Sequence, residues 1–391
     1  ETDVGARVPR SEDLKLVTGR GRYVDDLSFP NMLYAAFVRA EYAHALIRGI
    51  DTREAKAVPG VHAVITLSDL GEPYVNKPMD QPYPSPAIQR EITSYPLAKD
   101  EVCYVGQPIA LVIADTRHIA EDAVDLVQVD YEPLPAVVDC VQSAKNDGPP
   151  AHHGLPDNTA AQLGVAFGDI DDVFGAAPHV FHTDFRQHRG GCHAVECRGV
   201  VALDDPEHQG LTLYTSTQSP YLVRSLVARY LEEDESRLRV IAPNVGGGFG
   251  PKAGVYPEEV MIPLAARILG RPIKWIEDRR EHFTATNQAG DQAWSLEIAA
   301  RGDGKVLGVR GNVISDCGAY VNYGLLLPMS SLITLPGPYA IQALDVKLEL
   351  VFTNTTTNSP VRGAGRPNGI YALERVIETV ARELELDSTD V

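Results

Sequence analysis

The stretch "NVGGGFGPKAG", residues 244–254, sets four glycines and one phenylalanine at positions 246–250, with Lys252 just beyond. So bare a backbone lets unencumbered N–H groups approach an anion or an oxo group closely. Two nucleotide templates fail here. A P-loop requires Gly before its lysine and Ser or Thr after it, whereas Lys252 is flanked by Pro251 and Ala253. The dinucleotide fingerprint fails because Pro251 stands where its third glycine belongs. What remains is a loop shaped for an oxygen-rich ligand, or a tight glycine turn that only packs.

The flanks say how such a loop would be held. "RLRVIAP" before it reads as a short strand, and "YPEEVMIPLAARIL" after it reads as a helix. Pro257 falls at the first helical position, Glu258 and Glu259 in the first turn, and Gly270 stops the helix. Upstream, "LYAAFVRA", "PGVHAVITL" and "QPIALVIA" are strand-like, while "DTREAKAV" and "DTRHIAEDAVDLVQ" are helix-like. In the second of these helices Ile119, Ala123, Val124 and Val127 share one face. "VQVDYEPLPAVV" closes a mixed α/β domain over residues 1–140. Residues 141–165, rich in Pro, Gly, Asn and Asp, read as an extended linker, with His152 and His153 a solvated pair. Residues 166–391 are strand-rich with long helices, giving an α+β fold overall. There "RGDGKVLGV" is a hairpin turning at Asp303-Gly304. In "NGIYALERVIETVARELEL", Ile370, Leu373, Ile377, Val380 and Leu384 recur at helical spacing and are expected in the core.

Composition excludes several function classes. The 391 residues carry 35 basic and 53 acidic side chains, a net charge of −18, which argues against nucleic acid or an anionic membrane surface as partner. No apolar run reaches the ~18 residues of a membrane-spanning helix, so no membrane insertion is expected. Five cysteines (103, 140, 192, 197 and 317) have neither the spacing of a zinc or iron–sulfur site nor that of a disulfide framework. Reduced thiols in a cytoplasmic protein are expected. The N-terminus lacks an apolar leader core, although the first residue is not Met and an earlier cleavage stays open.

Three segments in order, "STQSPYLVRSLVARYLEE" (216–233), "NVGGGFGPKAG" (244–254) and "SPVRGAGRPNGIYALERVIE" (359–378), resemble the molybdopterin-binding subunit of the xanthine oxidase and aldehyde oxidase family. The run from Thr18 to Asp51 resembles that family's α/β hammerhead domain, and "LGRPIKWIEDRREHF" (269–283) is a further similar stretch. The resemblance implies a hammerhead domain over 1–140 and the first half of a molybdopterin-binding α+β domain over 166–391. Family chains continue into a second half that carries the catalytic glutamate base and most contacts to the cofactor's dinucleotide tail. The resemblance therefore implies either one piece of a split subunit or a piece of a longer protein.

It also implies residue roles. Gln218 matches the glutamine that hydrogen-bonds an oxo ligand of the metal, with Ser219 and Pro220 as N-cap and first residue of the next helix. Gly247, Gly248, Phe249 and Gly250 match the loop that faces the metal's oxygens, and Arg362, Gly363 and Ala364 match the opposite wall. Gln218, Phe249 and Arg362 are the catalytic candidates, and no side chain of this chain ligates the metal directly. Glu196, in "HAVECRG", matches the substrate funnel, but a pairing with Arg198 reads as well. Purine-oxidising members carry a glutamate where Ala253 stands, and an arginine near Ser330 or Ser331, so xanthine is disfavoured. Members that oxidise carbon monoxide carry a cysteine in the arginine loop, where Gly363 and Ala364 offer none. Ala364 replaces a bulky aromatic and leaves room for an aldehyde or an N-heteroaromatic ring.

The implied function is a hydroxylase subunit using molybdenum-molybdopterin in its cytosine dinucleotide form. Its expected partners are a second molybdopterin-binding chain, a [2Fe–2S] subunit and an FAD subunit. The alternatives are a non-catalytic scaffold chain of such a complex, or a carbon monoxide dehydrogenase-like member.

Overall fold

The computed structural model describes residues 4–205 and 210–391. Its largest sheet has seven strands in the order β11 (Leu238–Ile241), β10 (Gly210–Thr215), β9 (Gly199–Asp205), β12 (Ile273–Ile276), β1 (Leu33–Arg39), β5 (Pro108–Ala114) and β3 (Val61–Thr66). A five-stranded sheet runs β7 (Thr159–Phe167), β15 (Ala343–Phe352), β14 (Val306–Gly318), β13 (Gln292–Ala300) and β8 (His179–Gln187). A small antiparallel sheet joins β4 (Glu101–Val102), β2 (Ala45–Asp51) and β6 (Gln128–Pro133).

The first 140 residues build the small sheet alone, but their strands β1, β5 and β3 belong to the seven-stranded sheet. β1 pairs in parallel with β12, Leu33 opposite Ile273, and antiparallel with β5. One sheet therefore spans both regions read from the sequence. β5 is buried at every position, as its unbroken apolar run requires of a strand covered on both faces. One face packs against helices Pro220–Leu231 and Pro257–Leu269 through Leu33, Phe37, Leu111, Val227, Met261 and Trp275. The other packs against helix Arg117–Val124 through Ala36, Val112, Ala120 and Ala123.

The stretch 141–165 is not simply a linker. Cys140–Ala144 is helical and β7 begins at Thr159, pairing with β15 from Val351 to Leu344. Lys145–Asn146 and His153–Gly154 make its turns, while Ala160, Ala161, Leu163 and Val165 serve the sheet's core. His152 is buried rather than solvated, at 6% exposure. Helix Arg366–Glu383 buries Leu373, Val376, Ile377 and Val380, but Ile370 is half exposed, contrary to the periodicity. The buried stripe instead starts at Gly369, where a Cβ would overlap Ser331 O, so this helix crosses helix Leu326–Ile333 too closely for any side chain. Among the described residues no helix is long and apolar enough to cross a membrane.

Candidate functional site

The site forms where three chain segments meet, those that follow β10, β11 and β15. Gln218 lies between β10 and helix Pro220–Leu231, which begins at Pro220 as its sequence demands. Ser219 occupies the cap position, but its hydroxyl makes no capping bond; its N–H donates instead to Thr217 Oγ1 at 3.1 Å. Gln218 N–H donates to Lys252 O (2.8 Å), and Gln218 Oε1 accepts the N–H of Gly250 (2.8 Å). That acceptor role fixes the amide's orientation. Its –NH₂ becomes the free donating end, which has no hydrogen-bond partner among the described residues.

The glycine loop needs its composition. Gly247 (φ 99°) and Gly250 (φ 110°) sit in conformations that other residues rarely adopt, and Phe249 itself is left-handed at φ 58°. A Cβ on Gly248 would come within 2.5 Å of Gln218 Oε1, and one on Gly250 would overlap Pro360 O. The second clash shows how near the "SPVRGAG" segment runs. There Gly363 has φ 102° and Ala364 φ 51°, with Ala364 N–H donating to Val361 O (2.7 Å). Among the described residues the backbone N–H groups of Gly247, Gly248, Phe249, Arg362 and Gly363 have no hydrogen-bond partner. Orphan donors of this kind, on left-handed backbone, are the makings of an anion-binding concavity. Phe249 and the Arg362 side chain are exposed beside them.

Glu196 has a task the sequence did not reveal. Its Oε2 accepts from Gly246 N–H (2.6 Å), Ser216 Oγ–H (2.7 Å) and Lys252 Nζ (3.0 Å). Lys252 is buried, and Nζ also donates to Ser216 Oγ at 2.6 Å. Burial pulls the Lys252 ammonium below its ordinary range, and the Glu196 carboxylate opposes that pull. The pairing with Arg198 is thus corrected. Arg198 turns into the core, stacks 4.0 Å over Tyr256, and pairs with Glu258 (2.9 Å) and Glu277 (2.5 Å). Lys252 and Ser216 went unassigned in the sequence, although Ser216 stands two residues before Gln218. Ala253, half-buried, receives the Tyr323 hydroxyl on its carbonyl at 2.7 Å. Ser331 is fully buried and donates to Gly365 O (2.9 Å), so it braces the arginine loop from behind.

Residues 151–391 match the molybdopterin cofactor-binding domain, and residues 18–135 the hammerhead domain of aldehyde oxidase and xanthine dehydrogenase. Over 392 residues the chain is 38% identical to the nicotine 6-hydroxylase large subunit of Paenarthrobacter nicotinovorans, covering 99% of this chain and 48% of that one. It is 36% identical to the carbon monoxide dehydrogenase large chain of Afipia carboxidovorans, covering 99% and 49%. The solved structure of quinoline 2-oxidoreductase from Pseudomonas putida 86 superposes with a TM-score of 0.91 at 35% identity, covering 99% of this chain and 49% of that one. The chain spans about half the length of each of these proteins. With both domains matched in order, and the paired glycine-rich loops both within the 151–391 match, the chain belongs to the molybdopterin-binding xanthine oxidase and aldehyde oxidase family.

Proposed function

We propose that these loops form one wall of the molybdenum site of a hydroxylase acting on N-heteroaromatic carbon. The observation that carries this reading is the convergence of the free Gln218 amide nitrogen with two glycine-bearing loops whose N–H groups lack partners among the described residues. Gln218, Gly247, Gly248, Phe249, Gly250, Arg362, Gly363 and Ala364 would hold the molybdopterin-bound metal, in its cytosine dinucleotide form. The chemistry it supplies is two-electron oxidation of a substrate carbon with oxygen taken from water. The chain's own contribution is positional. Gln218 donates toward oxygen, the bare backbone admits the group closely, and Phe249 and Ala364 shape the substrate's side of the wall. Relatives named for nicotine and quinoline favour a flat nitrogen heterocycle, and the small side chains of Ala253 and Ala364 leave room for one. Without a thiol in the Arg362–Gly365 loop, carbon monoxide is the poorer substrate.

A second molybdopterin-binding half, a [2Fe–2S] subunit and an FAD subunit complete the proposed assembly. The relatives' names, large subunit and large chain, support smaller partners. The five free cysteines support a reducing, cytoplasmic setting. The test is Gln218→Ala in the assembled enzyme. Removing one preorganised donor costs on the order of 10²–10³ in turnover, with molybdenum content retained and label from ¹⁸O-water entering the ring product. Wild-type turnover in that variant, or a complex free of molybdenum and without hydroxylation, overturns the reading.

A further inference from the structure

Outside the loops described above, four side chains meet where the small sheet touches the five-stranded one. They are His44, next to β2; Glu101 and Cys103, at β4; and His152, from the stretch before β7. His44 is 3% exposed, His152 6%, and Cys103 fully buried. Each imidazole has one nitrogen committed to a backbone carbonyl, His44 Nδ1 to Pro135 O at 2.9 Å and His152 Nε2 to Ala319 O at 2.5 Å. A carbonyl can only accept, so those nitrogens carry the hydrogens and the opposite nitrogens present lone pairs.

Both lone pairs face the same place. His44 Nε2, buried and without a hydrogen-bond partner, lies 3.6 Å from Glu101 Oε2. His152 Nδ1 lies 3.2 Å from Glu101 Oε1 and 3.3 Å from Cys103 Sγ. Cys103 Sγ is in turn 3.4 Å from Glu101 Oε1. Two imidazole lone pairs and a carboxylate thus converge. The thiol offers one hydrogen, and the His153 N–H donates to Glu101 Oε2 (2.9 Å), which leaves both imidazole lone pairs competing for the thiol. Such a set repels itself unless a cation joins it.

We propose that His44, Glu101, Cys103 and His152 bind a structural zinc ion. The ligand atoms of His44, Glu101 and Cys103 lie within 4.8 Å of one another, and His152 Nδ1 sits against two of the three. Zinc bonds of about 2.0–2.3 Å give a tetrahedron whose edges are about 3.3–3.8 Å. Glu101 Oε1, His152 Nδ1 and Cys103 Sγ lie 3.2–3.4 Å apart, close to one face of it, and His44 Nε2 faces the other carboxylate oxygen at 3.6 Å. Imidazole, carboxylate and thiolate together suit zinc better than calcium or magnesium. The carbonyls of Pro135 and Ala319 are the outer supports such a site uses to fix its histidines. Glu101 is the one partly exposed member and marks the entry path. Binding releases the Cys103 thiol proton to solvent and staples the small sheet to the stretch before β7. Sequence spacing hides this site because its ligands come from three separate stretches.

The test uses the full-length protein, stripped of metal by a chelator under thiol reductant and then titrated with Zn²⁺ against a chromophoric competitor. The expected result is one zinc per chain. Co²⁺ in its place should show a thiolate-to-cobalt charge-transfer band with tetrahedral d–d intensity. His44→Ala and Cys103→Ser should each weaken zinc binding by more than the roughly 10–100-fold that loss of an outer support costs, with molybdenum content unchanged. Absence of saturable uptake by the wild-type protein overturns the proposal, as does a Co²⁺ spectrum without the thiolate band. Wild-type affinity in both variants overturns it as well. The cobalt spectrum of the wild type decides even if a variant fails to fold.

Discussion

Position 248 tolerates a hydrogen and little more. A Cβ there would lie 2.5 Å from Gln218 Oε1 and 2.6 Å from its Cγ, so any side chain must displace the glutamine. Gly248→Val is therefore expected to lower turnover at least as far as Gln218→Ala does, on the order of 10²–10³. The loop lies at the surface, so the melting temperature should move by only a few degrees. Turnover and thermal unfolding measured on one preparation check this, and normal turnover would remove Gly248 from the site. The loop's close packing and left-handed backbone were legible in the sequence, because unusual backbone demands unusual composition and "GGGFG" advertises it. The task of Glu196 was not legible. Nothing local in "HAVECRG" distinguishes a carboxylate that faces substrate from one that bonds Gly246, 50 residues further on.

The Glu196 carboxylate gathers the elements around the loops, alongside the Gln218 bonds to Lys252 and Gly250. Glu196 draws the end of β10, through Ser216, and the glycine loop, through Gly246 and Lys252, onto the segment before β9. Lys252 has its side chain almost wholly buried, so Glu196→Ala strands an ammonium without its counter-charge, at a cost of about 3 kcal/mol. Replacing Lys252 by Met removes that stranded charge. The double variant Glu196→Ala/Lys252→Met should accordingly be more stable than Glu196→Ala alone. Urea unfolding of the four proteins in the cycle measures it, and additivity within about 0.5 kcal/mol would dissolve the brace. Elements with an unbroken apolar run or clear start and stop signals were legible at this scale, β5 and helix Pro257–Leu269 most plainly. β7 was not, because the turn-forming residues before Thr159 outweigh a short alternating strand. Ile370 misled for another reason: periodicity reports an apolar stripe, but close contact at Gly369 decides which part of it meets the neighbouring helix.

Across the whole molecule, a buried ion network ties the N-terminal strands to the later helices. Arg39 on β1 bonds Glu258 (2.6 Å) and Glu281 (2.5 Å), and Arg198 bonds Glu258 and Glu277. His282 Nδ1 is 2.8 Å from Glu277. Burial acts to raise the Glu277 carboxyl, but Arg198 and His282 outweigh it and hold it well below its ordinary 4.5. A carboxyl depressed on folding stabilises the native state above its unfolded value, and that contribution is lost as pH falls toward the folded one. Glu277→Gln should then cost about 3–5 kcal/mol at pH 7. The gap to wild type should narrow steadily once pH drops below about 4.5. Urea midpoints at pH 7, 5 and 3.5 follow this, and a gap independent of pH would mean that Glu277 is not charged in the native state.

The placement of β1 has a consequence for how the protein is born. Its partner β12 is made some 240 residues after it, Leu33 meeting Ile273. At about 5–20 residues per second, translation leaves the β12-facing edge of β1 unpaired for tens of seconds. An apolar strand with one open edge is a template for pairing with the wrong chain. The N-terminal region emerges early, but β1 gains its second neighbour only once β12 is made. Arg39 stays unpaired over the same interval, because Glu258 and Glu281 are also synthesised late. Biogenesis is therefore a waiting problem, and a holding chaperone during elongation would protect yield without touching the finished fold.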